Sequence, residues 1–125
     1  MSYTESTMLP LGTTAPPFTL PDTVSGKLVS LEDIRSEVAT VVMFLCNHCP
    51  YVVHVNPEIV GLSREYQEKG VAFVGISAND VAAYPMDAPE KMHDLAVREG
   101  YTFPYLYDET QEIARAYDAA CTPDF

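Results

Sequence analysis

The stretch TVVMFLCNHCPYV (Thr40 to Val52) joins an apolar run to the motif Cys46-Asn47-His48-Cys49 and then to a helix-patterned segment. Thr40 to Leu45 is continuous and valine-rich, the pattern of a strand buried on both faces. Two cysteines separated by two residues can close a disulfide only where the backbone turns tightly, and the first turn of a helix supplies that geometry. The unpaired N–H groups and positive dipole end of such a helix stabilise a thiolate, the attacking species in disulfide exchange. The motif therefore points to thiol–disulfide chemistry. A strand ending at Leu45 predicts Cys46 at the mouth of the turn as nucleophile and Cys49 inside the helix, more buried, as resolver.

Other readings of the motif compete with this one. His48 is predicted to donate a hydrogen bond or a positive charge to the Cys46 sulfur, which would make the disulfide more oxidising than one flanking Gly-Pro; the alternative is a solvated loop histidine. A metal site on Cys46, His48, Cys49 and His54 lacks the second Cys/His pair that structural zinc normally uses, since only Cys121 follows. Pro50 stands where haem attachment would require histidine. No metal and no cofactor is expected.

Beyond Cys49, Val52, Val55, Ile59, Leu62 and Tyr66 recur at spacings of three and four, one face of a helix that Gly70 ends. Pro50 suits its first turn, whereas Pro57 predicts a kink or restart. Val71 to Ile76 reads as a second buried strand, followed by a loop over Ser77 to Met86. Asp87 with Glu90 predicts a capping box for a helix with Met92, Leu95 and Ala96 on its inner face, closed by Gly100. Phe103 to Tyr107 is a further strand, and Asp108 with Gln111 predicts another capped helix carrying Ile113, Ala116 and Tyr117. Upstream, residues 1–13 read as an N-terminal arm before a domain over 14–125. Phe18 to Leu20 and Lys27 to Leu31 flank the turn Asp22 to Gly26 as a β-hairpin, with one helical turn over Leu31 to Arg35. Strands separated by helices predict an α/β fold with right-handed crossovers and a mainly parallel sheet, whose ligands meet the carboxyl ends of the strands.

Composition bounds the rest. At 125 residues the chain suffices for one core. Its 7 basic against 18 acidic residues, net −11, argue against nucleic acid or anionic membrane as partners. Three cysteines, two of them a close pair, are unlike a secreted disulfide framework. There is no signal-peptide pattern and no transmembrane-length apolar run. A soluble cytoplasmic protein is expected.

Four ordered motifs carry a resemblance: MFLCNHCPYV (Met43 to Val52), SANDVAAYPMDAPEKM (Ser77 to Met92), FPYLYDETQEIARAY (Phe103 to Tyr117) and CTPDF (Cys121 to Phe125). Together they make Phe18 to Phe125 resemble the thioredoxin-fold redoxins, specifically the peroxiredoxin-like group with a CxxC motif in the AhpC/TSA superfamily. The resemblance implies a thioredoxin-like fold, a Cys46/Cys49 redox pair, and a cis Pro123 facing it, with Thr122 offered to substrate. Asn47, His48, Cys121, Thr122 and Pro123 are then redox-tuning or substrate-groove residues. Cys121 reads either as a third thiol near Cys46 or as a small buried hydrophobe. The peroxidatic pattern has Thr three residues and Pro seven residues before its cysteine, where this chain has Met43 and Ala39.

The resemblance implies a thiol–disulfide oxidoreductase working through a mixed disulfide. The alternatives are a thiol-dependent peroxidase with an antioxidant role and a non-catalytic redox-sensing or binding module. Its expected partners are a disulfide- or dithiol-containing protein and a thiol electron donor such as a thioredoxin or its reductase, with homo-oligomerisation possible. Family members continue past the cis-proline with a hairpin and helix, so the chain is expected to be incomplete at its C-terminus.

Overall fold

The computed structural model describes residues 5–125. Residues 1–4 of the expected arm lie outside the described residues. Residues 5–17 form no helix or strand but are tied down: the Ser6 hydroxyl donates to the Asp124 carboxylate at 2.6 Å and the Tyr117 hydroxyl to the Pro16 carbonyl at 2.6 Å.

The hairpin follows as its turn residues require. Strands β1 (Thr19–Pro21) and β2 (Leu28–Ser30) pair antiparallel, with Gly26 at φ 77, a left-handed conformation that glycine adopts at little cost. Asp22, buried at the turn, accepts the Val24 N–H at 3.0 Å and the Tyr105 N–H at 3.1 Å, while the Thr23 N–H donates to the Tyr105 carbonyl at 3.0 Å. The short helix α1 (Leu31–Ile34) begins at a reciprocal capping box between Ser30 and Asp33.

The central sheet has the order β3-β4-β5, all parallel: β3 (Ala39–Phe44), β4 (Val71–Ser77) and β5 (Tyr105–Tyr107). Strand period two sends alternate residues to opposite faces. Met43, Leu45 and Tyr105 enter one core with Val52 and Ile59 of helix α2 (Pro50–Gln67) and Met92, Leu95 and Ala96 of helix α3 (Pro89–Glu99). Phe44, Val74, Ile76 and Leu106 enter the other, against Phe18, the hairpin, α1 and helix α4 (Glu112–Ala116). Burying such a side chain fully contributes about 1.5–3 kcal/mol, so two cores on one sheet account for the three-layer arrangement.

Several local expectations need correction. Helix α2 runs unbroken through Pro57, with no restart. The box between Asp87 and Glu90 does not form: Ala88 occupies the N-cap of α3, and Asp87 lies in a preceding 3-10 turn, Pro85–Asp87, with its side chain turned inward. Asp108 and Gln111 form no reciprocal box either: the Gln111 N–H donates to the Asp108 carbonyl at 3.2 Å, the Asp108 carboxylate accepts the Ala114 N–H at 2.9 Å, and Gln111 is the N-cap at φ 65. Asp87 is claimed by tertiary partners, Asp108 by the first turn of the helix that follows it.

Candidate active site

The site is built where three segments converge at the carboxyl ends of β3 and β4. The Leu45 N–H still donates to the Ile76 carbonyl at 2.9 Å, so Cys46 is the first residue free of the sheet. Cys49 is the N-cap of α2 and Pro50 its first residue, where the missing N–H costs nothing. The Cys49 N–H donates to the Cys46 sulfur at 3.2 Å. Opposite the turn, the Thr122-Pro123 peptide is cis, as the resemblance implied. An antiparallel bridge between Phe44 and Asp124 holds that segment, with N–H to carbonyl distances of 2.7 and 3.0 Å. Thr122 thereby meets both sulfurs: its hydroxyl lies 3.4 Å from the Cys46 sulfur, and its carbonyl accepts from the Cys49 thiol at 3.4 Å.

The third segment is the loop after β4, and it clasps the residues between the cysteines. Asp87 Oδ1 accepts the Asn47 N–H at 2.7 Å, and Oδ2 accepts from His48 Nδ1 at 2.7 Å and from Asn79 Nδ2 at 2.8 Å. Asn47 Nδ2 donates to the Met86 carbonyl at 2.7 Å, and its Oδ1 accepts from the Tyr105 hydroxyl at 2.9 Å. The His48 ring stacks on Tyr84, with centroids 4.9 Å apart.

This clasp reverses the expected exposure of the two cysteines and gives one His48 nitrogen another partner. Cys46 is 1% exposed and Cys49 6%, so the predicted gradient from an open Cys46 to a buried Cys49 is reversed. His48 directs Nδ1 at Asp87 rather than at the Cys46 sulfur. Burial, with the negative charges of Cys49 and Asp87, pushes the Cys46 thiol up to about 11, outweighing the Thr122 hydroxyl and the Cys49 amide. For Cys49, burial also opposes the thiolate, but Thr122, the Val52 and Tyr51 amides at the start of α2, and the Cys46 thiol together carry it below the ordinary thiol value. The two thiols titrate as a pair, with the first charge settling at the helix terminus.

Cys121 is half-buried, and its thiol donates towards the Pro123 carbonyl at 3.7 Å. Burial is the main cause that raises it, followed by the charges of Asp124 and Cys49. It lines a cleft of about 320 Å³ with Asn79, Gln111, Arg115 and Thr122, beside the cysteine pair. Among the described residues, the ligand-type side chains brought within 4.8 Å of one another are Cys46, His48 and Asp87, not the Cys46, Cys49, His48 and His54 weighed as a metal site.

Asp87, Asn79, Tyr84 and Tyr105 are the residues that sequence reasoning missed at this site. The available signal was the polar loop after β4, since adjacent parallel strands deliver their following loops to the same end of the sheet.

A three-stranded parallel sheet flanked by helices, with a CxxC turn at a helix start facing a cis-proline, defines a thioredoxin-like redoxin. Residues 11–124 match the AhpC/TSA family, and the chain belongs to it. A Mycobacterium tuberculosis protein provisionally named a peroxiredoxin is 32% identical over 116 residues, covering 93% of this chain and 68% of its own. The crystal structure of an uncharacterized conserved protein from Geobacillus kaustophilus has 58% identity and a TM-score of 0.98, covering 99% of this chain. The solution structure of a provisionally designated thioredoxin from Neisseria meningitidis has 26% identity and a TM-score of 0.68, covering 87% of this chain and 67% of that one. The chain spans 66% of the length of the Geobacillus protein. Among the described residues no helix is long and apolar enough to cross a membrane.

Proposed function

We propose that the chain is a thiol–disulfide oxidoreductase in which Cys46 attacks a substrate disulfide and Cys49 resolves the mixed disulfide. The observation that supports it is the position of Thr122, which reaches both sulfurs from beside Pro123. A hydroxyl on Cys46 stabilises charge on the attacking sulfur, and the Cys49 N–H at 3.2 Å adds a second donor. A proton leaves the pair as Cys46 bonds to substrate and the first substrate thiolate departs; Cys49 then attacks Cys46, displaces the second substrate thiolate and closes the disulfide. A thiol electron donor reverses the sequence. The position of the peroxidatic threonine is taken by Met43, buried in the core without a hydroxyl, which favours exchange over peroxide reduction.

Insulin reduction with a dithiol donor tests this reading. Activity should vanish in Cys46→Ser, and Cys49→Ser should accumulate a mixed disulfide with substrate; wild-type activity no greater than that of Cys46→Ser would overturn it.

A further inference from the structure

Asp87 is 0% exposed and caps no helix; both its oxygens face the cysteine turn. A buried carboxylate carrying three N–H donors is a rigid acceptor, and one of those donors is His48 Nδ1 at 2.7 Å. Committing Nδ1–H to Asp87 leaves Nε2 as the nitrogen at which the ring can take up and release a proton. Stacking on Tyr84 holds the ring plane, and the His48 side chain, 34% exposed, keeps one edge in contact with water. The Cys46 sulfur, a His48 nitrogen and an Asp87 oxygen lie within 4.8 Å of one another, a separation that one water or a small ring movement spans. The arrangement is that of a nucleophile, a base and the group that orients the base.

Resting on the exchange reading above, we propose that His48 is the proton carrier of the Cys46/Cys49 pair and that Asp87 is its positioning residue. A carrier answers a need of this site, because burial and neighbouring negative charge oppose the Cys46 thiolate. As Cys46 bonds to one substrate sulfur, the substrate S–S bond breaks and its second sulfur leaves as a thiolate. The proton released by the pair passes to His48 and from there to the departing thiolate. In the second half, Cys49 bonds to Cys46, the remaining substrate sulfur leaves, and the second proton follows the same route. Two electrons and two protons pass from the dithiol to the substrate, and His48 ends as it began. The ionisable groups that face His48 are Asp87 from the 3-10 turn, Tyr84 from the loop before it, and Cys46 from its own turn. Among the described residues, no lysine or arginine pairs with Asp87 or stacks on His48.

The test measures kcat/KM for reduction of a small aromatic disulfide from about pH 5 to about pH 9 in wild type, His48→Ala, Asp87→Asn and the double variant. The single variants should be slower by roughly 10- to 100-fold at neutral pH, the scale of general acid–base assistance, with the deficit shrinking at alkaline pH. The double variant should be no slower than His48→Ala, and added imidazole should restore His48→Ala. Wild-type rates in His48→Ala at every pH, or no effect of imidazole on it, would overturn the proposal, and additive losses would detach Asp87 from it. His48 is partly exposed, so its variant tests the idea even where Asp87→Asn fails to fold. Alkylation of Cys46 by iodoacetamide in a Cys49→Ser background separates the two readings. A pH profile displaced upward by His48→Ala in a chain without disulfide turnover supports the relay and sinks exchange; turnover with an unmoved alkylation profile does the reverse.

Discussion

Thr122 places its hydroxyl 3.4 Å from the Cys46 sulfur across 76 residues of sequence, and the same residue offers its carbonyl to Cys49. One residue thus sets a hydroxyl against one sulfur and an acceptor against the other. A Thr122→Val substitution keeps the shape and deletes the donor, removing a hydrogen bond of about 1 kcal/mol. Alkylation of Cys46 at fixed pH should slow by roughly fivefold, and Thr122→Ser should restore it. An unchanged rate in Thr122→Val would show that the hydroxyl does not bear on the sulfur.

The thiol pair should ionise in two steps, followed by thiolate absorbance in the reduced chain. The first step lies below the ordinary thiol value, where the start of α2 receives the charge, and the second near 11. Rising pH therefore charges Cys49 first. Cys49→Ser should abolish the lower step and leave Cys46 titrating high; a surviving low step would move the helix effect to Cys46.

Burial pushes the Tyr101 hydroxyl up to about 12, although Asn56 accepts from it at 2.7 Å. A group whose folded pKa is raised contributes stability that is complete below its unfolded value, about 10 for tyrosine, and is lost as pH rises through the folded one. Denaturant midpoints of the wild type should fall between about pH 10 and about pH 12 more steeply than those of Tyr101→Phe. At neutral pH Tyr101→Phe should itself cost about 1–3 kcal/mol, because Asn56 is left unpaired in the core. Parallel midpoint curves above pH 10 would remove Tyr101 from the alkaline transition.

Gly75 marks a close approach under the site. A Cβ there would meet Tyr105 at 3.1 Å, Leu45 at 3.2 Å and Phe103 at 3.3 Å, all core side chains. Gly75→Ala should destabilise by about 1–3 kcal/mol, read in urea, as overpacking does. It should also lower disulfide turnover, since Tyr105 braces Asn47 between the cysteines. Full stability in the variant would mean that the sheet yields at this point.

What could be read in the sequence divides along a physical line. The strand Thr40 to Leu45, the helix face Met92, Leu95 and Ala96, and the hairpin around Asp22 to Gly26 all carry a local period or turn signal, and each forms within a residue or two of expectation. The cysteine turn and Pro123 were legible through motif likeness. Asp87 was not, because Asp-x-x-Glu ahead of an apolar face reads as a helix cap, and nothing local says that the carboxylate will serve Asn47 and His48 some 40 residues away. At Pro57, of the kink or restart expected, the restart does not occur: Val52 and Ile59, packed in one core, carry the helix across the missing backbone bond.

The hairpin turn has a bearing on how this molecule behaves in a crowd. Asp22 and Thr23 occupy the N–H and carbonyl of Tyr105 that a strand at the margin of a sheet would otherwise leave vacant. A foreign strand seeking to extend the sheet at Tyr105 finds both groups taken, so the aspartate that shapes a turn also guards the chain against self-templated polymerisation.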